Sequence, residues 1–285
     1  MTDAETLPWR RRPERETTGF LSPAARGAAR EARVDPTGVV GHGAGGRVTR
    51  DDVLAAAGAV ASRDEVVPFD NIRRRTAAGL LASKHTAAHA GTFLVADYSA
   101  VDAVRRTAQL TALPFVARDV IDALREYPMC NATLESDDAL TVHRAVHLGI
   151  AVDLDFRGLV VPVVHDADGL RLRALADAIR DVATRARARK LGPDDLAGGT
   201  FTITNPGASR TWISFAVINR PQVGILATDG VSKQVVSDED ARLRIASVGH
   251  LCLSFDHRAI DGAYAASFLR RVQEIVETRD WLSEL

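Results

Sequence analysis

The sequence has little of what a secreted, membrane-bound or nucleic-acid-binding protein uses. Its 285 residues contain two cysteines, Cys130 and Cys252, too few for a disulfide framework and suited to a reducing compartment. No apolar run approaches the roughly 18 residues needed to cross a bilayer. The first residues carry charge with no apolar stretch behind them, unlike a secretory signal. Net charge is −1, which gives no overall electrostatic basis for binding nucleic acid or an anionic membrane. These absences lead to the expectation of a cytoplasmic protein. A 46% hydrophobic and 26% charged composition is ordinary for a globular chain, long enough for one large domain and one small one.

Residues 1–19 hold a basic cluster, Arg10, Arg11 and Arg12, among acids, with little to bury, and are expected to be a disordered arm. Residues 20–57 have the makings of a miniature helical domain. Ser22 before Pro23 reads as an N-cap with proline at the first helical position. A glycine-rich loop follows at residues 41–46. Thr49 and Asp52 then have capping-box spacing, with Asp in place of Glu or Gln, and open a second helix. Residues 58–65, alanine-rich with a charged end, are expected to be a linker. Residues 66–285 mix helical and strand periodicity. Helices are expected at 72–85, 114–126, 170–190 and 263–277, and strands at 92–97, 146–152, 159–164, 200–204 and 243–254. The order lacks the regular alternation of a doubly wound sheet, so the expected class is an α/β mixed-sheet sandwich.

Two segments carry chemistry. Asp256-His-Arg-Ala-Ile-Asp-Gly262 follows an apolar strand and precedes a helix, so backbone holds His257 on both sides, as a general base requires. Asp261 lies four residues on, and Gly262 is expected to permit a tight turn where a side chain would clash. Gly198-Gly-Thr-Phe-Thr-Ile-Thr-Asn-Pro-Gly207 places Thr200, Thr202 and Thr204 on one side of a strand, and a hydroxyl at its end can donate to an oxyanion. Two other patterns weigh less. Residues 41–46 fit G-x-G-x-x-G, but no buried strand leads into them. His85 and His89 are four apart, as metal ligands can be, without an evident third ligand.

These segments resemble a family when taken in order. Ser83-Lys-His-Thr-Ala-Ala-His89, Tyr127-Pro-Met-Cys-Asn-Ala132, Gly149-Ile-Ala-Val152, Arg157-Gly-Leu-Val-Val-Pro162, Gly198 to Gly207, Ile218-Asn-Arg-Pro-Gln222 and Asp256 to Gly262 are similar to segments of dihydrolipoamide acyltransferases, the cores of 2-oxoacid dehydrogenase complexes. Residues 20–57 resemble that family's peripheral-subunit-binding domain. The resemblance implies a chloramphenicol-acetyltransferase-like fold and coenzyme A (as acetyl-CoA) as substrate. It makes His257 the base, Thr204 the oxyanion donor, and Asp261 a residue that holds the loop. Ser83 and Lys84 are then expected to bind coenzyme A. It also implies a homotrimer or larger assembly whose active sites lie between two subunits, and a dehydrogenase subunit as partner of residues 20–57.

The sequence departs from that pattern in three ways. Ala88 stands where proline is usual, the connection around residues 107–112 is short, and the first lysine is Lys84, so no lipoyl-bearing lysine precedes the small domain. The third departure, with Met1 taken as a natural start, favours acyl transfer to a small-molecule hydroxyl, as in relatives from tetronate polyketide pathways. The alternatives are the core of a 2-oxoacid dehydrogenase complex and a non-catalytic scaffold, the last opposed by intact His257, Asp261 and Thr204.

Overall fold

A computed structural model describes residues 21–61, 66–136, 138–237 and 240–285. The expected arm at 1–19 and the latter part of the expected linker lie outside these. The chain divides into two units, residues 1–68 and 69–285.

In the first unit α1 (Pro23–Glu31) begins where the Ser22 hydroxyl accepts the Ala25 N–H at 3.1 Å. α2 (Arg50–Ala61) begins at the expected box: Asp52 Oδ2 accepts the Thr49 N–H and hydroxyl, both at 2.8 Å, and Thr49 Oγ1 accepts the Asp52 N–H. Asp52 also accepts from the His42 N–H and ring. Backbone donation from Thr49, then from His42, holds its carboxyl well below the usual carboxylate range. A small core of Ala25, Ala28, Ala29, Val39, Val48 and Val53 joins the helices. α2 runs to Ala61, so the first part of the expected linker is helix, as its alanines favour. The glycine loop closes on itself through Gly43 N–H to Arg47 O and Gly46 N–H to Gly43 O. A Cβ on Gly41 or Gly43 would meet Arg47 backbone within 2.7 Å, so those glycines serve a close chain approach rather than a phosphate.

The second unit opens with α3 (Asn71–Thr86), capped by Asp70, whose Oδ1 accepts the Arg73 N–H. There follow β1 (His89–Asp97), α4 (Ser99–Ala108), α5 (Leu113–Glu126), β2 (Ala132–Leu134), β3 (Leu140–Val142), β4 (Leu148–Ile150), β5 (Val152–Asp153), β6 (Leu159–Val160) and β7 (Val163–Val164). Then come α6 (Leu172–Arg187), β8 (Phe201–Thr204), β9 (Gly224–Thr228), β10 (Ser232–Ser237), β11 (Leu243–Asp256) and α7 (Gly262–Thr278). The main sheet runs β1-β11-β9-β8-β4-β7, with β10 also on β11. β8 is parallel to β4 and β9 while the other pairs are antiparallel, which makes the sheet mixed as expected.

The expected strand at 146–152 splits because β4 stays in the main sheet while β5 pairs with β6. Gly149 lets β4 approach β8, since a Cβ there would meet Thr202 Oγ1 at 2.8 Å. α7 buries Ala265, Phe268, Leu269, Val272, Ile275 and Val276, one apolar stripe of helical period, as part of the main core. Each of its large residues contributes about 1.5–3 kcal/mol by leaving water. The core holds both β11 and α7, and so fixes the ends of the short segment between them that carries His257.

Candidate active site

His257 sits in the turn between β11 and α7, its side chain half exposed. Its N–H donates to Ala88 O at 2.9 Å. The Ala88 N–H in turn donates to Asp256 Oδ1 at 3.2 Å, so the approach to β1 and the His257 turn are held by reciprocal bonds. Asp256, only 3% exposed, also accepts from the Arg258 backbone and forms a two-pronged pair with the Arg258 guanidinium at 3.0 and 2.7 Å. Burial pushes the Asp256 carboxyl up, but the hydrogen bonds from Arg258 and Ala88 outweigh it and leave the group below its ordinary range. The clamp therefore stays ionised at neutral pH. Asp256 and Arg258 flank the histidine directly, but nothing in their spacing alone marks them as a pair.

Asp261 is less firmly placed. Its Oδ1 lies 3.8 Å from His257 Nδ1, beyond hydrogen-bond reach, and its side chain is 91% exposed. Gly262 corrects an expectation: a Cβ there meets nothing within 4 Å, because the residue is simply the first of α7.

The three threonines of β8 differ in what they bond. The Thr200 hydroxyl joins both backbone groups of His147. The Thr202 hydroxyl donates to Gln222 Oε1 at 2.6 Å and accepts from Asn219. The Thr204 hydroxyl has no partner among the described residues. It lines a cavity of about 720 Å³ whose walls are mostly apolar, including Ile72, Leu80, Val160, Val217 and Ile225. An uncommitted hydroxyl in an apolar cavity is free to donate to a developing oxyanion.

Thr204 and His257 do not meet within one chain. Thr204 pairs with Ala227, and Ala227 with Cys252, so Thr204 is level with a residue five positions short of His257 and two strands away. At about 3.3 Å per residue and 4.8 Å between strands, the separation is roughly 15–20 Å.

Ser83 is 1% exposed and its hydroxyl donates to Ile218 O at 2.7 Å, so it anchors α3, while Lys84 stays exposed. His85 and His89 are not neighbours on one helix, because α3 ends at Thr86 and His89 begins β1. His89 Nε2 accepts the Ile218 N–H at 3.1 Å, which leaves Nδ1 to donate to Ala87 O. Both ring nitrogens are thus engaged. The cysteines offer no nucleophile: burial pushes the Cys130 thiol up, and burial together with Asp229 raises that of Cys252 to about 11.

Comparison with known proteins shows the family of the chain. Residues 61–283 match the model of the 2-oxoacid dehydrogenases acyltransferase catalytic domain, and residues 19–54 that of the e3 binding domain. A dihydrolipoyllysine-residue succinyltransferase component of the 2-oxoglutarate dehydrogenase complex from Rickettsia bellii is 35% identical over 92% of this chain and 71% of its own length. A dihydrolipoyllysine-residue acetyltransferase component of the pyruvate dehydrogenase complex from Mycobacterium tuberculosis is also 35% identical, over 90% of this chain and 54% of its own. The chain thus spans only about half of that second relative. Among solved structures, the cubic core of a pyruvate dehydrogenase multienzyme complex superposes with a TM-score of 0.73 at 31% identity, covering 78% of this chain and 93% of that one. An Azotobacter vinelandii dihydrolipoamide acetyltransferase, studied for the roles of a serine, a histidine and an asparagine in its catalytic mechanism, gives 0.72 at 32% identity, covering 75% and 91%.

Proposed function

Since the chain belongs to the 2-oxoacid dehydrogenase acyltransferase family, we propose that it transfers an acyl group between coenzyme A and the thiol of a dihydrolipoyl group, as the core of a multienzyme complex. One observation carries this reading over a small-alcohol acceptor. The catalytic domain is preceded by a match to an e3 binding domain, a module whose use is to hold another enzyme beside the core. The tetronate-type expectation gives way to it, because no relative reported above points to an alcohol. No lysine precedes Lys84, so the lipoyl group is presented by a lysine outside those first 83 residues.

His257 accepts the thiol proton, and the thiolate attacks the thioester carbonyl. The tetrahedral oxyanion takes a hydrogen bond from Thr204 of a neighbouring copy. Collapse expels the second thiolate, which takes the proton back from the imidazolium. The intrachain separation of Thr204 and His257 supports a site completed between two copies, and hence a homo-oligomer, for which the likeness to a cubic core favours a trimer or larger. Lys84, exposed beyond Ser83 on α3, is the residue of that pair left to meet a coenzyme A phosphate.

The test offers acetyl-CoA and succinyl-CoA to the protein with dihydrolipoamide or a panel of small alcohols, following free coenzyme A and the acylated product. Acylation of dihydrolipoamide that disappears in His257→Ala is the expected result. Acylation of an alcohol alone would overturn the proposal.

A further inference from the structure

The Thr204 cavity carries charge of one sign. Among the described residues, Arg75 and Arg220 are the only charged ones that line it, and no carboxylate does. Arg75 stands on the face of α3 that also turns Ile72, Thr76, Gly79 and Ala82 to the cavity, spacing that puts them on one side of a helix. Arg220 comes from the segment just before β9, which Ser83 of α3 holds through its bond to Ile218 O. It also lines a second cavity, of about 420 Å³, which it shares with His85 and with Arg258 from the His257 turn. Arg220 thus borders both the oxyanion donor and the turn of the base. Neither Arg75 nor Arg220 has a hydrogen-bond or ion-pair partner among the described residues, whereas Arg105, Arg118, Arg185, Arg271 and Arg279 all pair with carboxylates.

Apolar walls with two unpaired guanidinium groups select a ligand that is itself part apolar and part anionic. Two parts of an acyl-CoA could supply the anion: a phosphate of the coenzyme, or a carboxylate at the far end of the acyl group. Thr204 decides between them. Its hydroxyl marks where the thioester carbonyl sits, and the coenzyme's phosphates lie a full pantetheine arm from that carbon. The far end of a short acyl chain lies within the same cavity. A planar carboxylate also suits the guanidinium fork.

We propose that Arg75 and Arg220 form a carboxylate subsite for the acyl group, so that the preferred donor is the monothioester of a short dicarboxylic acid, of the succinyl class. This rests on the acyl-transfer reading and goes beyond it. Relatives named for acetyl and for succinyl transfer are equally similar to the chain, so overall similarity does not choose between the two acyl groups.

The experiment compares succinyl-CoA, acetyl-CoA and free coenzyme A in the full chain, in Arg75→Gln and in Arg220→Gln. It measures kcat/KM with dihydrolipoamide and, separately, equilibrium binding with no acceptor present. Circular dichroism and light scattering check fold and assembly. Wild type is expected to favour succinyl-CoA over acetyl-CoA by about tenfold or more, the scale of one or two hydrogen bonds between charged groups. Each variant should lose about tenfold with succinyl-CoA and stay within about twofold of wild type with acetyl-CoA and free coenzyme A.

Three results would overturn the subsite. Wild type that prefers acetyl-CoA is one. An equal loss with all three ligands would assign the arginines to the coenzyme phosphates. Variants that fall apart into smaller species would assign them to contacts between copies. If no thiol is acylated while succinyl-CoA still binds more tightly through both arginines, the acceptor assignment fails and the subsite stands.

Discussion

His257 is held through its backbone rather than through the carboxylate four residues on. Its N–H bonds to Ala88 O, and the buried Asp256 ties Ala88 and Arg258 together beside it. His257→Ala should lower kcat at least a hundredfold with an unchanged circular dichroism spectrum, because general-base catalysis contributes about 10²–10⁴-fold. A folded variant that keeps a tenth of the rate would remove the assignment. Thr204→Ala should lower kcat by about a hundredfold and leave KM for acyl-CoA nearly unchanged, since an oxyanion donor acts in the transition state. A loss confined to KM would count against it. Asp256→Asn removes the charge that fastens Arg258, and kcat should fall about tenfold while KM moves less than twofold, the effect of a loosened base. A lower melting temperature with an intact rate would mean that the clamp serves the fold alone.

Among the elements, caps and periodicity were readable along the chain, and pairing was not. The Ser22 cap and the Thr49–Asp52 box involve residues three apart, so the sequence already contains both partners. Residues 99–108 form α4 although nothing was expected there, and their buried Val101, Val104 and Ala108 show the helical spacing that could have revealed it. β10 was missed for a different reason. Its burial alternates only weakly, and it is a strand because β11 pairs with it along six residues.

The box supports a prediction about acid. Asp52 titrates lower in the folded chain than in the unfolded one, so it stabilises the first unit fully above the ordinary carboxylate range. That stability declines as the pH falls below this range and is gone only below the depressed folded value. Amide exchange of α1 and α2 in the full chain should accelerate as the pH drops below about 4, after correction for intrinsic rates. In Asp52→Asn this pH dependence should flatten. Identical profiles in the two proteins would show that other groups set the acid response.

On the scale of the whole molecule, the 15–20 Å between Thr204 and His257 in one chain makes the proposed site one that a second copy completes. His257→Ala and Thr204→Ala, each slowed about a hundredfold or more alone, should recover part of the wild-type rate once mixed, dissociated and reassembled. In such mixtures some interfaces combine the intact Thr204 of one chain with the intact His257 of another. An active monomer in light scattering, or no recovery in mixtures that do reassemble, would refute the shared site.

Local chemistry was enough for the caps and the mixed α/β class, because each depends on residues close together in the chain or on strand and helix period, while the order of the motifs, through the family it resembles, is what singled out His257 and Thr204 as candidates. The bonding of the β8 hydroxyls, the burial of Ser83, the engagement of both His89 nitrogens and the presence of Arg75 and Arg220 on one cavity depend on contacts across more than fifty residues or on strand register. No spacing encodes those. They arise when the core draws α3, β8 and the segment before β9 around one cavity, and only that packing decides which hydroxyls and guanidinium groups remain free to act.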